Sequence, residues 1–196
     1  MTRFPQSLAS LSVIPARGRL KRIPRKNLRD FRGKPILVWS VEAALASGAF
    51  DEVTVSTDDP QPAETARAVG AKVPFMRSAK ASNDYATTSD VLREVLAAYS
   101  DRGREFLVAC CAYPTAPFVI PKKVAAEKAD LLNSSFDVVV PVATFTYPIW
   151  RSLPREDDGS IALKFPEHLN SRFQELATAF HDAGQWYWFR VDVFLT

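Results

Sequence analysis

Apolar positions along this chain switch repeatedly between two spacings. Leu11, Val13 and Ile14 form a short apolar run within residues 10–15 that stops at a proline, as a buried strand does. Residues 35–47 place Ile36, Leu37, Val38, Val41, Ala44 and Leu45 at helical spacing, with Gly48 just past the end. Residues 52–57 alternate β-branched positions and predict a strand; 62–69, followed by Gly70, predict a second helix. A short strand over 72–75 and a third helix over 89–99, carrying Val91, Leu92, Val95 and Leu96, come next. The continuous apolar run 106–112 predicts a buried strand, 122–132 a fourth helix and 137–142 another buried strand. Strands and helices alternating at such short intervals predict an α/β fold of three layers, doubly wound around a mostly parallel sheet.

After Val142 the rhythm breaks. Residues 146–180 hold prolines and aromatics but no strand–helix repeat, and read as an excursion with short strands inside one domain spanning 1–196. Regular structure resumes over 185–190, and the chain ends soon after an apolar run without a polar tail. Open α/β sheets bind ligands beyond the carboxyl ends of their strands. Three loops leave those ends here, at 16–27, 58–60 and 113–118, so chemistry is expected there.

Composition narrows the setting. With 196 residues, 47% of them hydrophobic, the chain needs no disulfide staple to hold a core. Its two cysteines, Cys110 and Cys111, are neighbours on a predicted strand and point to opposite faces, which argues against a disulfide between them. No stretch approaches the roughly 20 apolar residues that span a bilayer, and residues 1–12 lack the apolar core of a secretory signal. A reducing, cytoplasmic setting without a membrane partner is the expectation.

Net charge is only +3, but nine of the 25 lysines and arginines fall between Arg17 and Lys34, against the single acid Asp30. The remainder of the chain is mildly acidic. So local a patch suits one compact polyanion better than a long duplex. The loop reads Pro15-Ala-Arg-Gly-Arg-Leu-Lys-Arg-Ile-Pro-Arg-Lys-Asn27 and directly follows a strand. Backbone amides near Gly18 can wrap an anion, and Arg17, Lys21 and Lys26 can neutralise a triphosphate. It is neither a Walker phosphate loop nor a GxGxxG turn. From composition alone a solvated basic loop stays equally open.

The wider pattern tips that balance. Ile14-Pro-Ala-Arg17, Lys21-Arg-Ile-Pro-Arg-Lys-Asn27 and Gly33-Lys-Pro-Ile36 resemble the N-terminal signature of the acylneuraminate (CMP–sialic acid synthetase) cytidylyltransferase family, which activates nine-carbon acidic sugars. Val55-Ser-Thr-Asp58, Pro74-Phe-Met-Arg77 and Cys111-Ala-Tyr-Pro-Thr-Ala-Pro-Phe118 resemble its next segments in the same order. Phe165-Pro-Glu-His168, Asn170-Ser-Arg172 and His181-Asp-Ala-Gly-Gln-Trp-Tyr-Trp188 are similar to the branch specific for pseudaminic acid. The resemblance covers roughly residues 12–188.

It implies a nucleotide-diphospho-sugar transferase-like fold and transfer of CMP from CTP to the anomeric hydroxyl of a nonulosonic acid, with pyrophosphate leaving and Mg²⁺ as cofactor. Arg17 and Lys21 would be catalytic. Arg17, Gly18, Lys21, Lys26 and Asn27 would hold the triphosphate, with Arg77 and Asp84 near the cytidine. Tyr113, Thr115, Arg172, His181 and Gln185 would face the sugar. The excursion over 146–180 would carry the contacts of a homodimer. The general base stays unassigned, and so do the metal ligands, for which Asp182 is a weak candidate beside its alternative as a hydrogen-bonded loop carboxylate.

Two departures accompany the resemblance. The family usually reads Arg-Gly-Gly-Ser-Lys where this chain has Arg17-Gly-Arg-Leu-Lys21, and the C-terminal segment carrying the family's metal-binding aspartates is expected to be absent. A relative that binds nucleotide without turnover is therefore one alternative. A nucleic-acid-binding protein using the basic loop is another, disfavoured because no such module is legible. Among lesser features, Asp58 and Asp59 read as helix-start residues before metal ligands. Tyr113 reads equally as a packing aromatic, and Trp186, Tyr187 and Trp188 as strand residues filling a core or interface.

Overall fold

The computed structural model describes residues 9–18 and 23–196. In chain order these form β1 (Ser10–Pro15), a hairpin of β2 (Asp30–Phe31) and β3 (Lys34–Pro35), α1 (Ile36–Ala46), β4 (Glu52–Ser56) and α2 (Pro60–Ala68). Then follow α3 (Ala79–Ser82), α4 (Thr88–Ser100), β5 (Val108–Ala112), α5 (Pro121–Leu132), β6 (Val138–Val139), β7 (Val142–Thr144), β8 (Phe180–Asp182), β9 (Trp186–Arg190) and α6 (Val191–Leu195). Two compact units result: Met1–Val140 with Gly184–Thr196, and Pro141–Ala183.

The larger unit carries a five-stranded sheet in the order β4-β1-β5-β9-β6. β4 and β5 flank β1 in parallel, while β9 runs antiparallel to both β5 and β6. Only β9 opposes the common direction, so the expected mostly parallel sheet is present. Side-chain alternation along β1 and β5 builds two apolar layers. Ile14, Val108 and Cys110 join residues of α1, α2 and α5 in one; Leu11, Val13, Ala109 and Cys111 join α4 in the other. The adjacent cysteines thus serve opposite layers as free thiols. Burial pushes Cys111 up to about 12 and holds Cys110 well above its ordinary value, so both are inert packing groups.

β9 supplies the large anchors. Trp186 and Trp188 are buried, Trp188 stacks on Phe50 at 4.8 Å, and its indole N–H donates to the Val124 carbonyl at 3.0 Å. A buried indole whose donor is satisfied contributes area without a desolvation penalty.

Three sequence expectations shift. The second helix starts two residues early, at Pro60, where the ring's fixed φ suits a first helical position and Asp59 caps the helix's first turn by accepting from the Gln61 N–H at 2.9 Å. Residues 72–75 pair only through a bridge between Lys72 and Thr54, since Pro74 has no amide to donate onward. The run 137–142 is not one buried strand: β6 is an edge strand, Pro141 interrupts the ladder, and Val138, Val140 and Val142 are exposed.

In the smaller unit β7 and β8 pair antiparallel, and short 3₁₀ turns at Ile149–Arg151, Pro166–His168 and Phe173–Glu175 lie between them in sequence. Trp150 organises it, lying edge-on to Phe165 and His168 and donating to the Ala177 carbonyl at 2.7 Å. Among the described residues no helix is long and apolar enough to cross a membrane.

Candidate functional site

A cleft of about 410 Å³ opens beyond the C-terminal ends of β1 and β5, where an open α/β sheet places its ligands. Its walls come from four places: the end of β1 with Arg17, the turn at Lys26 and Asn27, the segment carrying Arg77, and the α3–α4 region facing Tyr113–Thr115. Among the described residues, the cations Arg17, Lys26 and Arg77 line it against the carboxylate Asp84.

Main-chain acceptors fix the two arginines. Arg17 donates from Nη1 to the Asn83 carbonyl at 2.9 Å and lies 3.6 Å from Asp84 Oδ1. Its own carbonyl accepts from the Asn27 side-chain amide at 2.9 Å, so buried Asn27 shapes the loop as well as lining the cleft. Asn83 is held in turn, its Oδ1 accepting from the amides of Tyr85 and Ala86. Arg77 is buried; its Nε donates to Ser56 Oγ at 3.0 Å, its Nη2 to the Ser56 carbonyl, and its amide to the Thr57 carbonyl at 2.8 Å. Desolvation pulls the Arg77 guanidinium below its ordinary value, with Asp58 and Glu94 acting in the opposite direction. An arginine stays charged in proteins, so this is a desolvated cation aimed at a cavity, an arrangement that favours an anionic or acceptor-rich ligand.

Before Lys26 the chain passes through Arg25 at φ 52°, a left-handed residue that is not glycine, into the 3₁₀ turn Lys26–Leu28. Such conformations are uncommon and cluster at functional loops. Gly18 has a packing role in addition to the expected anion wrap. Its amide donates to Asp58 Oδ1 at 2.8 Å, and a Cβ at this position would stand 2.4 Å from Asp59 Cβ. Its glycine is needed for close packing against the start of α2, and in this structure its N–H is already engaged.

On the far wall, Tyr113 is placed by its backbone. Its N–H donates to the Gln185 carbonyl at 2.8 Å, and its carbonyl accepts from Ser40 Oγ at 2.8 Å. Ser40, buried on α1, also receives the Ala116 N–H at 3.4 Å and so pins both ends of the 113–116 turn that presents Thr115. The Tyr113 ring lies edge-on to Tyr187, with centroids 5.3 Å apart. Thr87 and Thr88 complete the lining at the N-terminus of α4, where Thr87 and Asp90 form a reciprocal capping box. The positive end of a thirteen-residue helix thereby faces the cleft.

The structure thus gathers Arg17, Lys26, Asn27, Arg77, Asp84, Tyr113 and Thr115 around one cavity. Lys21 lies outside the described residues. Gln185 meets this region through its carbonyl. Arg172 and His181 belong to the smaller unit, where Arg172 is exposed beside Glu175 and His181 contacts Phe145 edge-on. Asp182 ends β8, and among the described residues no three His, Cys, Asp or Glu side chains gather into a metal cage. A divalent cation held largely by waters and substrate phosphates needs no such cage; the carboxylate in the cleft lining is Asp84, which lies 3.6 Å from Arg17. Sequence reasoning missed Ser40, Ser56, Asn83, Thr87 and Thr88. Only Thr87 carried a readable signal, the Thr-x-x-Asp spacing of a capping box.

A mostly parallel sheet with a cation-lined cleft at its strand ends makes this an α/β domain suited to an anionic ligand. A solved structure of CMP:2-keto-3-deoxy-manno-octonic acid synthetase complexed with CTP shares this fold at a TM-score of 0.70 and 24% identity, over 95% of this chain and 76% of that one. The family model described as cytidylyltransferase matches residues 11–190, and the chain belongs to that family. It is 37% identical to the pseudaminic acid cytidylyltransferase of Campylobacter jejuni subsp. jejuni serotype O:2, over 92% of this chain and 78% of that protein. It is also 37% identical to the CMP-N,N'-diacetyllegionaminic acid synthase of Legionella pneumophila, over 68% of this chain and 58% of that protein.

Proposed function

We propose that this chain transfers CMP from CTP to the anomeric hydroxyl of a nonulosonic acid, with pseudaminic acid the preferred acceptor. One observation carries the reading: in a chain similar to pseudaminic acid cytidylyltransferases over 92% of its length, two main-chain-anchored arginines and Lys26 line one cleft at the strand ends.

In the reaction the anomeric hydroxyl oxygen forms a bond to the α-phosphorus, the bond from that phosphorus to the bridging oxygen breaks, and pyrophosphate leaves while the hydroxyl gives up its proton. The chain's contribution is positioning and charge neutralisation. Arg17, Lys26 and, by family resemblance, Lys21 offset charge on the triphosphate. Arg77, rigid on Ser56, orients the cytidine, and Asn27 holds the loop that presents Arg17. Tyr113 and Thr115 face the sugar, with Arg172, His181 and Gln185 as its further contacts. Mg²⁺ is the divalent ion we assign; if bound, it would supply neutralisation of the phosphate charge, and Asp84, which lies 3.6 Å from Arg17 here, would be the carboxylate that holds it. Exposed Tyr147, Phe173 and Phe180 in the smaller unit support its reading as the dimer contact, for which light scattering should return twice the chain mass.

The test is pyrophosphate release with CTP, UTP and GTP against pseudaminic, legionaminic and sialic acids. CTP with pseudaminic acid is expected to be fastest. Binding of CTP with no release above background for any acceptor would replace this reading with a nucleotide-binding relative that has lost turnover.

A further inference from the structure

β4 ends at Ser56 under the cleft already described; its other end, at Glu52, opens onto a second cleft of about 560 Å³. Arg67 from α2, Lys72 from the edge bridge, and Arg102 and Arg104 after α4 line it, and Glu52 is its one acid. That acid is already committed. Glu52 is nearly buried and accepts from the hydroxyl of buried Tyr99 and from Arg104. Neutralising Glu52 with Arg104 leaves Arg67, Lys72 and Arg102 uncompensated in the lining.

The cations are also held. Arg67 donates to the Val73 carbonyl at 2.9 Å, and Arg102 donates to the Ala98 carbonyl and lies over the Phe75 ring at 5.3 Å. Planar guanidiniums fixed on carbonyls and aromatic faces keep their remaining N–H groups for a ligand, and their ordering entropy is already spent. The last turns of α2 and α4 end beside this cleft, and their carbonyls oppose an anion. Each helix end carries roughly half a negative charge, so the three cations outweigh the two ends, and a compact ligand with several charges can engage the three together.

We propose that this second cleft binds a compact polyphosphate anion, at a site separate from the nucleotide cleft and independent of the activity assigned to it. The probe is inorganic pyrophosphate, followed residue by residue through the backbone amide spectrum of the ¹⁵N-labelled chain. Saturable shifts are expected at residues 67–74 and 99–104. They should persist in Arg17→Ala, which disables the other cleft, and weaken roughly tenfold or more in Lys72→Ala/Arg102→Ala. Lys72→Ala alone, at an exposed side chain, keeps the test valid if the double variant does not fold; a severalfold loss is expected there. A parallel titration with CTP separates the sources: shifts confined to residues around Arg17 and Asn83 mark the nucleotide as the other cleft's ligand, whereas equal shifts in both regions would overturn the separateness of the sites. Absence of saturable shifts at 67–74, or unchanged affinity in the folded variants, overturns the proposal.

Discussion

The two clefts stand at opposite ends of β4, and both are basic, yet the chain builds them differently. Carbonyls anchor arginines at both ends, Ser56 and Asn83 holding Arg77 and Arg17 at one, Val73 and Ala98 holding Arg67 and Arg102 at the other; only at the Ser56 end does the N-terminus of α4 also face the cavity. At the Glu52 end helices arrive by their C-termini, so side chains alone supply the positive potential. The difference separates charge from preorganisation. Oriented backbone dipoles cost nothing to reorganise when charge develops in a transition state, whereas side-chain cations support binding first. Under the proposed function, the chemistry is therefore assigned to the Ser56 end.

Arg77→Ala should do the most damage, because it removes a desolvated cation and leaves Ser56 acceptors unpaired. Pyrophosphate release is expected to fall by roughly 10²–10³-fold. Arg77→Lys should recover little of it, since an ammonium cannot make both Ser56 contacts in one plane. Turnover near wild type in either variant would erase the distinction between the two ends.

Ser40→Ala touches the same end without touching the proposed ligand. It deletes the hydroxyl that closes the 113–116 turn, at a cost of about 1–3 kcal/mol for the stranded carbonyl. A rise in KM for the sugar, with KM for CTP little changed and Ser40→Thr restoring it, would show that the turn serves the acceptor side. Equal changes in both constants would reduce Ser40 to general support.

The smallest effect is expected at the N-terminal end of the sheet, where Asp51 accepts from the Ser10 hydroxyl and amide at 2.7 and 2.8 Å. Those hydrogen bonds, the hydroxyl's foremost, hold the Asp51 carboxyl below its ordinary value, with Lys128 adding to the effect. A depressed carboxylate contributes stability above its unfolded pKa and loses that contribution as pH falls through the folded one. Asp51→Asn should thus lower Tm modestly at pH 7, the gap to wild type narrowing below about pH 4. A gap that widened in acid would reverse the sign of this argument.

How much of this was legible beforehand varies with the range of the interactions involved. The strands 10–15 and 52–56 and the helices α1, α4 and α5 follow from local apolar spacing, which needs no partner to be read. The edge strand over 137–142 did not, because exposure at a sheet edge is settled by what pairs next to it, and Pro141 ends that pairing. The loop sequence points to backbone amides near Gly18 as an anion wrap; that the Gly18 amide and missing Cβ also meet Asp58 and Asp59, about forty residues on, is visible only in three dimensions. Ser40 was invisible for the same reason: a serine inside a helix looks ordinary until the turn at Tyr113 is brought above it.

Residue types and their spacing were enough to establish the alternating α/β order, the basic loop after the first strand and the kinship with cytidylyltransferases, since periodicity and ordered motifs are properties of the linear chain. Which cations share a cavity, which carbonyls hold them, and that a second basic cleft exists at Glu52 came from folding alone. Arg67, Lys72, Arg102 and Arg104 are scattered in sequence, and electrostatic cooperation depends on distance in space.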